Sequence, residues 1–144
     1  MSPEKEKLII ERYPKIFSSR NPENLFFVYC FEHGDGWFNI IDTLCWAIQN
    51  HVDNLRYKFK EITDEEFSEK HQVVAAQVKE KFASLRFYIN NHDDYVRGLI
   101  CMAEGISART CESCGNPGER RGRGYIQTLC DSCHKPKDNK LVKD

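Results

Sequence analysis

The chain has 144 residues, of which 40% are hydrophobic, 12% aromatic and 30% charged, with a formal net charge of −1 at pH 7. That is enough apolar material for one compact domain and too much for a disordered chain. No apolar run approaches the roughly 20 residues of a membrane span and no signal-peptide pattern precedes the first charges, so a cytoplasmic protein without membrane association is expected.

The first element is a short helix: Ser2 suits an N-cap, Pro3 the first helical position, and Pro14 stops the helix near Tyr13. Ser18 to Asn24 reads as a polar loop. Leu25-Phe26-Phe27-Val28-Tyr29-Cys30-Phe31 is a dense β-branched and aromatic run of strand length, and its lack of alternation predicts cover on both faces. His33-Gly34-Asp35-Gly36 breaks that strand. Asp35 is placed to cap a following helix whose apolar positions, Trp37, Ile40, Ile41, Leu44, Cys45 and Ile48, keep helical spacing, with Val52, Leu55 and Phe59 extending the stripe. Thr63-Asp64-Glu65-Glu66 has the form of a capping box for a short helical turn.

Val73, Ala75 and Gln77 alternate with Val74, Ala76 and Val78, and Leu85, Phe87 and Ile89 alternate with Arg86 and Tyr88. The pattern predicts two antiparallel strands, about 73–80 and 84–90, joined near residues 81–83. Asn90-Asn91-His92-Asp93 ends the hairpin and caps a helix that buries Val96, Leu99, Ile100, Ala103 and Ile106, with Asp93 and Asp94 favourably placed in its first turn.

Four of the seven cysteines form two C-x-x-C pairs, Cys111-Glu112-Ser113-Cys114 and Cys130-Asp131-Ser132-Cys133. In a reducing compartment that usage points to metal ligation rather than disulfides. Two intervening residues let both sulfurs of each pair reach one metal, and the stretch from Gly115 to Leu129 is long enough to fold as a hairpin that returns the second pair. Gly122 and Gly124 can turn it, with Tyr125 to Leu129 as the return strand. Four thiolates close a tetrahedron around one structural zinc ion and leave no position for a substrate. His134 is an alternative fourth ligand to Cys133, and four metal-free cysteines are the competing reading. Cys30, Cys45 and Cys101 sit inside apolar runs and read as core residues.

Other residues have two readings. Glu32, His33, Asp35 and Asp42 cluster in sequence as a catalytic or metal site would, but no nucleophile motif accompanies them, and strand termination and helix capping also explain them. His51, His71 and His92 lack ligand spacing. Arg120, Arg121 and Arg123 with Tyr125 place guanidinium groups and an aromatic ring at the tip of the cysteine hairpin, where they can contact phosphates and a base, dock on an acidic protein surface, or simply be solvated. Residues 109–144 carry 8 Lys+Arg against 5 Asp+Glu, and residues 1–108 carry 13 against 17. Once four thiolates and a divalent ion are counted, the C-terminal excess is too small to mark a nucleic-acid binder by itself.

Three stretches together resemble a family of small phage and prophage proteins. They are Glu32-x-Gly34-Asp35-Gly36-Trp37; Gln77-Val78-Lys79-Glu80-Lys81-Phe82-x-x-Leu85-Arg86-Phe87-Tyr88; and Thr110-Cys111-Glu112-x-Cys114-Gly115-x-Pro117-Gly118. The similarity spans most of residues 27–133, with Ala83 standing where that family is associated with glycine. The family's biochemical role is unassigned, so the resemblance implies a viral origin and a host-cell cytoplasm and transfers no active site. Small phage accessory proteins often redirect host machinery, defence systems included.

The expected architecture is an α+β core over residues 1–108, with a small, mainly antiparallel sheet covered by helices. A zinc-ribbon-like module of four cysteines over 109–135 packs on it, and 136–144 form a flexible tail. The expected function is a non-catalytic accessory protein that binds a host protein, with no small-molecule substrate. A nucleic-acid-binding zinc protein is the alternative, and a metal-dependent nuclease using the Glu32–Asp42 region is the third.

Overall fold

The computed structural model describes residues 1–18 and 31–134. Cys30, the strand run before Phe31, residues 19–24 of the polar loop and the tail 136–144 lie outside them. The described residues form an α+β fold of four helices and two small sheets. No helix among them is long and apolar enough to cross a membrane.

Helix α1 (Pro3–Arg12) starts with Pro3 in its first turn, where the missing N–H costs nothing, and ends before Pro14. Strand β1 (Phe31–Glu32) leads through a 3-10 turn (Asp35–Trp37) into α2 (Phe38–Arg56), the longest helix. Asp35 does not cap α2. Its carboxylate accepts the backbone N–H of Ser2 at 2.6 Å and pairs with Lys5 at 3.5 Å, so it anchors the start of α1 instead. Helix α3 (Asp64–His71) carries the expected capping box, with Thr63 accepting from the Glu66 amide and Glu66 from the Thr63 amide. Helix α4 (Asp94–Ser107) is capped by Asp93, whose carboxylate accepts the Val96 amide at 2.9 Å.

The main sheet has the order β1-β2-β3, with β2 at Val74–Lys81 and β3 at Ser84–Asn90. It is a mixed sheet in which the longer pairing is antiparallel and the shorter is parallel. β2 and β3 form the expected hairpin, whereas β1 joins β2 in parallel, with Phe31 opposite Val78. A bulge between Ala75 and Gln77 shifts the alternation, so Ala75 and Val78, three residues apart, are both buried. Lys81 pairs with Ser84, leaving a two-residue turn in which Phe82 (φ 53°) and Ala83 (φ 65°) are both left-handed. This is the conformation a tight hairpin turn needs and the reason it favours glycine, so Ala83 occupies a position suited to the glycine of the resembling family.

The core gathers Trp37, Ile41, Leu44, Cys45, Ile48 and Val52 from α2 and the turn before it with Leu85 and Phe87 from β3, Val96 and Ala103 from α4, and Ile9 from α1. Three expected core positions are not in it. Phe59 lies beyond the end of α2 and packs on Phe67 and His71. Ile106 and Cys101 are exposed on α4, because the buried arc of that helix runs through Val96, Ala103 and Ser107. Ser107 is polar and fully buried. Its hydroxyl donates to the Glu104 carbonyl at 2.6 Å and accepts the Leu85 amide at 2.8 Å, tying α4 to the start of β3.

A bulky residue at positive φ costs stability, and Phe82 gains little in return because it is 66% exposed. Replacing Phe82 with Asn should therefore raise the unfolding free energy by about 0.5–1 kcal/mol in chemical denaturation. A lower value would show that the ring supports the fold.

Candidate metal centre

The four cysteines of the two C-x-x-C pairs converge. All four Sγ atoms lie within 4.8 Å of one another, and Cys114 Sγ is 3.6 Å from Cys130 Sγ. A tetrahedron with metal–sulfur bonds of about 2.3 Å has edges of about 3.8 Å, so the spacing fits one ion ligated by four thiolates. Among the described residues no other group of three or more His, Cys, Asp or Glu side chains brings its donor atoms together in this way. His134 is not part of the group.

Each pair sits in a turn held by backbone hydrogen bonds. The Gly115 amide donates to the Cys111 carbonyl at 2.9 Å, and the His134 amide donates to that of Cys130 at 2.9 Å. Burial pushes the Cys111 thiol up, but amide hydrogen bonds from Cys130, Cys114 and Ser113 outweigh it and bring its pKa down to about 6. Hydrogen bonds shared with the other three sulfurs push Cys133 up to about 12. A metal cation bound here would displace the protons that the four sulfurs share, so its binding tightens as pH rises.

Strands β4 (Glu119–Arg121) and β5 (Gln127–Leu129) form the expected hairpin between the pairs, although the return strand is shorter than Tyr125 to Leu129. Gly122, at φ 105°, turns it. The hairpin docks on the core at Thr128, which is buried and donates to the Ala83 carbonyl at 2.6 Å. The cysteine module and the β2–β3 turn therefore share a hydrogen bond.

The larger joint is between the first pair and the loop before α2. The Gly36 amide donates to the Glu112 carbonyl at 2.7 Å, and the Trp37 indole N–H donates to the Thr110 carbonyl at 2.9 Å. The Gly34 amide donates to the Glu112 carboxylate at 3.1 Å. A Cβ on Gly36 would lie 2.6 Å from the Gly115 nitrogen and closer still to the Cys111 carbonyl oxygen; one on Gly34 would lie 3.0 Å from the Glu112 carbonyl carbon. Only hydrogen fits in either place. Glu112, itself buried, also receives the Gln127 amide at 3.4 Å, so one carboxylate links the loop, the first pair and β5. Burial raises its pKa. Neither Glu112 nor this use of Gly34 and Gly36 follows from the C-x-x-C spacing.

Among the described residues, the side chains of the acidic residues near that loop do not come together at one point. Glu32 is exposed, Asp35 holds Ser2 and Lys5, and Asp42 takes Arg12 at 2.8 Å and Tyr13 at 3.0 Å. His33 is buried between the Phe31 and Trp37 rings. Its Nδ1 donates to the Gly34 carbonyl at 2.7 Å, while Nε2 has no hydrogen-bond partner among the described residues. Burial lowers its pKa to about 4. His51, His71 and His92 do gather around one polar pocket, where His51 bonds Asp93 at 2.6 Å.

At the hairpin tip the three arginines separate. Arg121 is consumed internally: it pairs with Glu119 at 2.9 Å and with Asp131, and donates to the Leu129 carbonyl at 3.2 Å. Arg120, Arg123 and Tyr125 are exposed. Arg123 and Tyr125 border a depression of ≈590 Å³ that reaches Leu129, Cys133 and His134.

Compared with protein-family models, curated proteins and solved structures, the chain matches none of them.

Gly36→Ala should weaken metal retention and destabilise the fold by more than about 1 kcal/mol, because the clash is with backbone on both sides; wild-type melting and metal content in that variant would refute the tight joint. An NMR titration should find His33 neutral down to about pH 4. The unfolded chain takes up that proton near pH 6.5, so His33 contributes stability above that pH and loses about 3 kcal/mol as pH falls toward 4. An imidazole that titrates near 6.5 in the folded protein would contradict its burial.

Proposed function

We propose that the protein is a non-catalytic accessory protein of phage type, whose four cysteines hold one structural zinc ion and whose zinc-ribbon-like module docks on a protein of the host. The zinc reading is supported by four sulfurs at tetrahedral spacing, a donor set that suits zinc and closes its coordination sphere. The phage reading rests on the resembling motifs. Two of these, Glu32 to Trp37 and Thr110 to Gly118, meet at the glycine joint, and the third carries the β2–β3 turn that Thr128 bonds.

The observation that carries the binding reading is the depression beside Arg123 and Tyr125, next to the second cysteine pair. An aromatic ring and a guanidinium flanking a concave surface form a common anchor for protein partners. A protein partner is favoured over nucleic acid because Arg121 is already paired, which leaves Arg120 and Arg123 as the exposed cations of the tip. Acidic Glu119 and Asp131 at the same hairpin are the ion-pair partners of Arg121.

Metal analysis of protein purified without chelator should find one zinc per chain, lost in Cys111→Ser; iron or no metal would refute the assignment. The binding face is tested by changing Arg120, Arg123 and Tyr125 to alanine together and leaving Arg121 in place. The fold should persist, since exposed turn residues contribute within about 0.5 kcal/mol each. Capture of a host protein from nuclease-treated extract should be lost. Oligonucleotide binding at physiological salt that disappears in the triple variant would establish the nucleic-acid alternative instead.

A further inference from the structure

Among the described residues, one face of α4 has no partner. Asp94, Gly98, Cys101, Met102, Gly105 and, just past the helix end, Arg109 are all exposed. On a helix of 3.6 residues per turn the five helical positions fall within an arc of roughly 100°, and Arg109 follows in the turn after the helix. The face is apolar in its middle and charged at its ends. Met102 is 60% exposed, and neither Asp94 nor Arg109 has an ion-pair partner among the described residues. Beside it, Ile40, Leu44 and Ala47 of α2 and Leu99, Ala103 and Ile106 of α4 line an apolar furrow of ≈250 Å³.

Among the described residues nothing packs against the two glycines. A Cβ at Gly98 or Gly105 would meet nothing within 4 Å, yet each interior glycine costs a helix about 1 kcal/mol relative to alanine. Glycine on an open helix face is useful where another backbone must come close.

The order of residues along this face identifies what can approach it. Gly98 and Gly105, Asp94 and Arg109, and Cys101 and Met102 are three pairs, each centred on the same point between Cys101 and Met102. An antiparallel copy of the helix, rotated about a twofold axis through that point, sets glycine against glycine and the Asp94 carboxylate against the Arg109 guanidinium at both ends. An isologous contact requires this reciprocity, in which residue i meets j and j meets i. We infer that the protein forms a twofold dimer through α4, with a second copy of this chain covering the Gly98–Gly105 face and the mouth of the adjoining furrow. The end charges set the antiparallel orientation, since a parallel pair would bring Asp94 to Asp94 and Arg109 to Arg109.

The test uses the metal-loaded full chain in sedimentation equilibrium over a wide concentration range. The parent should be dimeric. Gly98→Leu and Gly105→Leu should each be monomeric, with a melting temperature no lower than that of the parent monomer, because the added side chains meet open space within one chain. Asp94→Arg should weaken the dimer by about tenfold or more, and adding Arg109→Glu to it should restore association. A short bis-maleimide should join Cys101 to its copy in the parent and not in Cys101→Ser. A parent that stays monomeric at high concentration overturns the inference. So does a dimer that persists in both leucine variants, fails to respond to the charge reversals, or is not linked through Cys101.

Discussion

Backbone meets backbone where the turn before α2 lies against the first cysteine pair, with no side chain between them at Gly36. The rest of the architecture depends on that approach. It fixes where α2 begins and brings the Trp37 indole to the Thr110 carbonyl. It also places the buried Glu112 carboxylate where it accepts from Gly34 and Gln127 together. Contacts of this kind are sensitive to small changes, because peptide groups cannot be repacked as side chains can. The cysteine module is thus an extension of the core. A second tie, from Thr128 to the Ala83 carbonyl, attaches it to the β2–β3 turn.

This arrangement gives a candidate site of four cysteines a structural place between the loop before α2 and the β4–β5 hairpin. Four thiolates leave an ion no position for substrate. An ion held there would tie the first cysteine pair, which meets the loop before α2, to the second pair at the end of the β4–β5 hairpin. A small domain whose sheet has one long pairing and one two-residue pairing gains from such a staple.

Local signals in the sequence suffice where one residue type does one job. Pro3 and Pro14 bound α1, Thr63 and Glu66 make their capping box, and the C-x-x-C spacing identifies the four converging sulfurs. Local pattern falls short where tertiary structure decides. Asp35 has the sequence context of a cap for α2, but the nearby Ser2 amide claims its carboxylate. The Ala75–Gln77 bulge breaks an alternation that looks strict in the sequence, and the parallel entry of β1 depends on chain geometry that no local pattern encodes. On α4 the apolar pattern is broader than the buried arc, which leaves Ile106 and Met102 at the surface. The glycines of Gly34-Asp35-Gly36 read as a break in the chain. That Gly34 marks a contact 78 residues further along is legible only when the backbone is seen to leave no room for a Cβ.

The unity of the metal centre and the core is tested most directly by amide hydrogen exchange at Gly34, Gly36 and Glu112, with the Trp37 indole N–H, before and after the metal is removed by chelation. Gly36 and the indole proton donate across the joint, so their protection should fall together with that of the cysteine turns, while central amides of the β2–β3 hairpin change less. Unchanged protection at Gly36 and Trp37 in the metal-free protein would contradict it, because the joint would then hold without the ion.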